Sequence, residues 1–189
     1  FPTRRSSDLW CKFTYLKPAI SGGFGGTNDH RFTDLIGSGG TDFNSLDGHY
    51  SITFKNCYWA DGCKERMPRA RNAEIHILNC YYNTSVSSSK AIGLGGGIKN
   101  TSCYVENSDF TKITTIASNY NSTDGGSYTL TFNNCTKGTG LTAITGLDTG
   151  IAPKPTYSYT VLPVADVATY VPNSSCGAGA TLQVTASGV

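Results

Sequence analysis

Charge is scarce in this sequence. Asp, Glu, Lys and Arg together make up 15% of the 189 residues, well below the quarter usual for a soluble domain. No apolar run approaches the 18 residues of a membrane span, so no membrane partner is expected. No two CxxC pairs occur, which argues against a structural zinc. Gly177-Ala178-Gly179-Ala180 lacks the Lys and the Ser or Thr of a phosphate-binding loop. No signal peptide opens the chain, and the chain is expected to be a fragment whose true start lies upstream. What is abundant is Gly (22), Tyr (11) and uncharged polar residues. This composition favours many short strands and turns over helices. The 38% hydrophobic content suffices for one domain with a core.

The first nine residues, Phe1-Pro2-Thr3-Arg4-Arg5-Ser6-Ser7-Asp8-Leu9, read as the translation of the end of a short-read sequencing adapter. They are therefore expected to be an artefact and are set aside from the fold. Leaving out Arg4, Arg5 and Asp8 lowers the net charge from +2 to +1. The protein as a whole is then not basic, no nucleic-acid partner is expected, and any anion site must come from a local cluster. Seven cysteines leave at least one unpaired within the chain.

Four segments superpose along the chain. They are Ile52-Thr53-Phe54-Lys55-Asn56-Cys57-Tyr58-Trp59, Ile75-His76-Ile77-Leu78-Asn79-Cys80-Tyr81-Tyr82, Cys103-Tyr104-Val105-Glu106-Asn107-Ser108-Asp109-Phe110 and Leu130-Thr131-Phe132-Asn133-Asn134-Cys135-Thr136-Lys137. Trp10-Cys11-Lys12-Phe13 fits the same frame at its Cys and aromatic positions. Each unit alternates apolar and polar residues and ends in Asn plus a small residue, a strand running into a tight turn. Asn tolerates the left-handed backbone such a turn requires. A unit of this size cannot bury its own apolar face, but a stack of copies can. The pattern predicts a right-handed parallel β-helix, all-β and incomplete at its N-terminus. Residues 10–140 would form the turns, and 141–189 a tail packed against them. Stacked Asn amides would form a hydrogen-bonded ladder, with Cys57, Cys80 and Cys135 stacked as small apolar residues. An antiparallel sandwich, the alternative, gives no reason for the recurring Asn-Cys or Asn-Ser pair. Residues 164–171 are the candidate for a short helix. The glycine-rich stretch 21–26 and Gly37-Ser38-Gly39-Gly40 read as loops.

The densest charge lies at Lys64-Glu65-Arg66-Met67-Pro68-Arg69-Ala70-Arg71, four bases against one acid just before a predicted strand. Arginine suits carboxylates because its planar fork binds them through two hydrogen bonds. Arg69 reads as a solvated or supporting charge. His76 reads as a packing histidine, His30 as structural or at a groove edge. The aromatic pairs Tyr58-Trp59 and Tyr81-Tyr82 read as strand-end packing.

Arg66-Met67-Pro68-Arg69-Ala70-Arg71 and the strand after it resemble the Arg-x-Pro-x-x-Arg element of pectate lyases of polysaccharide lyase family 1. Asp29-His30-Arg31-Phe32-Thr33-Asp34-Leu35-Ile36-Gly37-Ser38 is similar to that family's stretch ending in Leu-Ile-Gly-Ser. Val105-Glu106-Asn107-Ser108-Asp109-Phe110 matches the next turn, and the Cys176-Gly177-Ala178-Gly179-Ala180 tail is similar to family C-terminal ends. The resemblance spans about residues 10–180. It implies a secreted, monomeric enzyme that cleaves polygalacturonate by β-elimination, giving 4,5-unsaturated products. It implies Arg66 as the Brønsted base and Arg71 as the clamp on a substrate carboxylate. An arginine base needs a carbon acid made more acidic, and its own pKa lowered by neighbouring cations and desolvation. The family uses Ca²⁺, a hard oxygen-seeking cation, whose ligands are expected upstream of Trp10, so no residue of this chain is assigned to metal. Phe32 stands where the family carries a substrate-binding Lys, and Arg31 is the candidate replacement. Two alternatives stay open: a non-catalytic β-helix that binds acidic polysaccharide, and a lyase for methylated pectin that works without calcium. No paired-Asp signature of an inverting glycosidase stands out. The fragment itself is expected to be inactive.

Overall fold

Strict apolar–polar alternation builds strands that bury one face and expose the other. The computed structural model, which describes residues 5–19, 29, 31–138 and 140–180, winds such strands into a coil. One turn consists of β4 (Tyr50–Lys55), β5 (Tyr58–Trp59) and β6 (Arg69–Ala70). The next is β7 (Ala73–Leu78), β8 (Tyr81–Asn83) and β9 (Lys90–Leu94), followed by β10 (Thr101–Glu106), β11 (Asp109–Lys112) and β12 (Thr115–Asn119). These three turns are flanked by β1 (Arg5–Leu9), β2 (Lys12–Phe13) and β3 (Leu35–Ile36) on one side. On the other lie β13 (Tyr128–Asn133), β14 (Thr136–Lys137) and β15 (Thr142–Ala143). Strands stack into three sheets, ordered β1-β4-β7-β10-β13, β2-β5-β8-β11-β14-β15 and β3-β6-β9-β12. Among the described residues the strands pair in parallel except β14 with β15, where the tail turns back, and an antiparallel bridge joins Leu130 to Thr149. The fold is a parallel β-helix.

Register carries the sequence repeat into space. Ile52, Ile75, Cys103 and Leu130 form one inward column, and Phe54, Ile77, Val105 and Phe132 form another. Asn56, Asn79, Asn107 and Asn134 each have positive φ, between 45° and 56°, at the turn out of the first sheet. All seven cysteines are free thiols, and Cys57 and Cys80 are fully buried. The aromatic pairs divide by alternation. Trp59 and Tyr82 point inward and continue a stack from Phe13 to Phe110, with centroid separations of 5.1, 4.5 and 4.3 Å and rings within 14° of parallel. Tyr58 and Tyr81 stack on the outside.

The asparagine ladder is shorter than the repeat predicts. Asn79 donates to Asn56 at 2.9 Å, but the tail takes amide groups of Asn79 and Asn107. The Asn79 carbonyl accepts the Leu162 N–H at 3.0 Å, and Asn107 donates to the Leu162 carbonyl at 2.7 Å. A tail backbone laid across the turn offers buried donors and acceptors that also need partners, and the amides serve both. Residues 5–9, set aside on sequence grounds, pair with β4 as β1. An open sheet edge accepts any extended backbone, whatever its side chains. Trp10 then occupies the left-handed position that Asn holds in the other turns, a costly conformation for a bulky residue. The loop at 21–26 and His30 lie outside the described residues.

The tail closes two faces. Helix α2 (Val164–Tyr170) sets Val167 and Val171 against Tyr81 of the second sheet. Residues 153–159 cover the outer face of the first sheet. There the Tyr157 hydroxyl bonds Thr53 Oγ1 at 2.9 Å and His76 Nδ1. Tyr159 donates to Glu106 Oε2 at 2.7 Å, and Lys154 Nζ lies 3.4 Å from Glu106 Oε1. Burial pushes His76 down to about 4. The Glu106 carboxylate opposes that shift, and Lys154 and Lys55 reinforce it.

Two predictions follow from this packing. Trp59→Ala, which opens a hole in the middle of the aromatic stack, should cost about 3–5 kcal/mol by urea unfolding. Because His76 is buried neutral, the unfolded chain binds its proton more readily between about pH 4 and 6.5. Its contribution to stability is therefore complete above 6.5 and lost as pH falls toward 4. Urea midpoints measured from pH 7 down to 4.5 should fall more steeply for the unaltered chain than for His76→Gln.

Candidate functional site

The arginine-rich segment runs from the second sheet into the third, and alternation divides its side chains. Met67 and Ala70 are fully buried in the core, so Arg69 and Arg71 point outward. Arg66 sits just ahead, with φ of 63°, a left-handed conformation uncommon for a non-glycine residue. The segment leading into β3 holds it there. Its carbonyl accepts the Asp34 N–H at 2.7 Å and the Thr33 hydroxyl, and Phe32 bridges to Glu65. The Arg66 guanidinium carbon lies 4.2 Å from the centroid of the Phe32 ring. Phe32, at the position where the resembling family has Lys, thus forms an aromatic wall for the arginine.

Arg69 donates through Nη2 to both oxygens of Asp124, at 3.2 and 3.1 Å, and stacks its guanidinium 3.8 Å from the Tyr120 centroid. Arg71 is 7% exposed. Its Nη2 donates to the Ser38 carbonyl at 2.8 Å, and its Nε lies 3.9 Å from Asp124 Oδ1. Burial lowers the Arg71 pKa, and the charges of Arg69 and Arg66 lower it further against the pull of Asp124 and Asp42. The three arginines therefore sit close enough to repel one another. Among the described residues, four buried donors in the cluster have no hydrogen-bond partner: Arg66 Nε, Arg69 Nε, Arg71 Nε and Arg71 Nη1. Buried donors left open are costly, and a carboxylate is the group whose geometry satisfies them in pairs.

Arg31 lies at the start of the same basic turn, where its carbonyl accepts the Lys64 N–H at 2.9 Å. Its guanidinium grips Asp29 with both Nε and Nη2. Those bonds hold the Asp29 carboxyl down at about 2, and Lys64 Nζ adds a contact at 3.6 Å. His76 is on the first sheet, under the tail, and not in the arginine cluster.

Sequence reasoning overlooked Asp124 and Tyr120. They belong to the loop around α1 (Asn121–Asp124), which reaches back over the third sheet. No local signal ties residue 124 to residue 69. Asp34 was also missed. It points inward and accepts the Trp59 indole N–H at 3.0 Å, and desolvation raises its pKa to about 6.

Calcium needs six to eight oxygen ligands, several of them carboxylates. Among the described residues no three His, Cys, Asp or Glu side chains gather in a metal-binding group. The acids near the arginines are already held, Asp29 by Arg31, Asp124 by Arg69 and Glu65 by Lys90. The described residues do not fit a calcium site.

A β-helix with open arginine donors on one flank is a scaffold suited to a polyanion. The chain belongs to the pectate lyase family, whose family model matches residues 21–181. It is similar in structure to the thermostable pectate lyase PL 47, with a TM-score of 0.58 and 18% identity. That match covers 92% of this chain and 41% of the solved one, so this chain spans less than half the length of its structural neighbour. At that identity the likeness concerns the fold. No curated protein matches the chain.

Asp34 supplies a test of the interior of this region. Its raised pKa means that the folded chain holds the proton more tightly than the unfolded chain. The stability it contributes is complete below about 3.8 and is lost as pH rises through about 6. Asp34→Asn keeps an acceptor for Trp59 and has no charge to bury. It should stabilise the protein by about 2 kcal/mol at pH 7.5 and by little at pH 4, as read from urea midpoints at the two pH values.

Proposed function

We propose that the whole protein is a secreted, monomeric polysaccharide lyase that cleaves polygalacturonate by β-elimination. The observation that carries this reading is the cluster of Arg66, Arg69 and Arg71 on a β-helix of the pectate lyase family, with four of its buried donors unpaired among the described residues. In this reading Arg71 clamps a galacturonate carboxylate, and Arg31 is a further contact at the edge. Arg66 takes the proton from C5, the C4–O4 bond breaks, and the departing oxygen picks up a proton. A 4,5-unsaturated sugar remains on one product. Phe32, stacked 4.2 Å from the guanidinium carbon of Arg66, holds that side chain in place through a cation–π contact. Calcium, the ion expected for the whole protein, would supply Lewis-acid neutralisation of a carboxylate. Its ligands would come from outside the described residues.

A non-catalytic module that binds acidic polysaccharide is the second reading. Two observations favour it: Phe32 in place of a cation, and Arg31 committed to Asp29.

The two readings separate on polygalacturonate with added calcium. A full-length version should release product absorbing in the ultraviolet. Arg66→Ala should lower kcat at least about 100-fold with an unchanged melting temperature, and the 189-residue chain alone should bind without cleaving. Binding by the full-length protein with no unsaturated product favours the module. Full activity in Arg66→Ala removes Arg66 as the base.

A further inference from the structure

We propose that Asp124 is a built-in counter-charge that sets how strongly, and how selectively, the arginine cluster binds free uronate carboxylates. The inference rests on the reading that this cluster binds an acidic polysaccharide. It goes beyond it by naming a specificity-determining residue outside the Arg-x-Pro-x-x-Arg element.

Asp124 is more than a surface partner of Arg69. Its side chain is 4% exposed, and both its oxygens accept from Arg69 Nη2. The same carboxylate approaches Arg71 Nε at 3.9 Å. It thus presents to two guanidiniums the group that a galacturonate would present. The loop that carries it is fastened to the β-helix. The Tyr120 N–H donates to the Leu94 carbonyl at 2.7 Å, the Gly97 N–H to the Gly125 carbonyl at 2.9 Å, and the Gly96 N–H to Asn121 Oδ1 at 2.9 Å. Two glycines allow the close approach. A side chain at Gly40 would collide with the Asp124 carbonyl, and one at Gly95 with its carboxylate. Tyr120, stacked on Arg69, fixes the plane of the guanidinium.

Asp124 lies against two of the three guanidiniums and leaves the cluster cationic but partly satisfied. An incoming uronate meets guanidiniums that Asp124 already partly neutralises and feels its negative charge at short range. A methyl-esterified residue carries no charge and is indifferent to it. Asp124 therefore narrows the preference of the cluster for free acid over ester.

The test uses the 189-residue chain and calorimetric titration with trigalacturonate and with its fully methyl-esterified form, at neutral pH and moderate salt. Asp124→Asn keeps shape and one acceptor while removing the charge. Asp124→Ala is a second way to remove it. Affinity for the acid should rise about threefold to tenfold in both variants, the effect of one unit charge a few ångströms away near a protein surface. Affinity for the ester should not change. A residue that merely braces the loop would not strengthen binding when removed. Unchanged or weaker acid binding by folded variants overturns the proposal, as does an equal rise for acid and ester. Loss of folding in both variants also overturns it, since Asp124 would then be a structural bolt. If the unaltered chain binds trigalacturonate and the variants bind it no better, only the counter-charge fails. If neither the unaltered chain nor the variants bind, the polyuronate reading fails with it.

Discussion

In-register parallel pairing is the constraint on which everything else in this molecule rests. Strands about 4.8 Å apart place each residue directly over its equivalent in the next turn. A residue type that suits the position once must suit it at every turn. Apolar residues accordingly fall into unbroken inward columns, and Phe13, Trp59, Tyr82 and Phe110 become one continuous stack. The same rule fixes where the chain turns. A left-handed residue is needed where each turn leaves the first sheet, and asparagine supplies it there at 56, 79, 107 and 134.

Stacking also creates polar surfaces that must be satisfied. The outward column of the first sheet carries Thr53, His76 and Tyr104 in register. The tail covers it with Tyr157, Tyr159 and Lys154, whose polar ends reach His76 and Glu106. Buried polar groups of this kind are tolerated because they are paired. The asparagine amides share the task, which is why the ladder gives way to bonds with residues 160 and 162.

On the third sheet the balance is left unfinished. Alternation sends Arg69 and Arg71 outward together, and a strained turn adds Arg66. Asp124 answers Arg69 and Arg71, and among the described residues several buried arginine donors stay unpaired. Such an arrangement costs stability in the free protein and is the form expected of a surface preorganised for an anion. In the proposed reading that anion is a uronate, and Phe32 stacks beside Arg66.

The repeat of Asn at 56, 79, 107 and 134 was enough, by itself, to determine the β-helix, because a one-dimensional stack writes its periodicity directly into the chain. The basic segment at 64–71 was legible for the same reason, since its charges are neighbours in sequence and alternation sorts them by face. Tertiary structure alone decided what those charges touch. Asp124 meets Arg69 across 55 residues, and the tail recruits the asparagines, both through loops of irregular length that carry no period. Electrostatic partnership depends on distance in space, and loop closure sets that distance without leaving a local mark in the sequence.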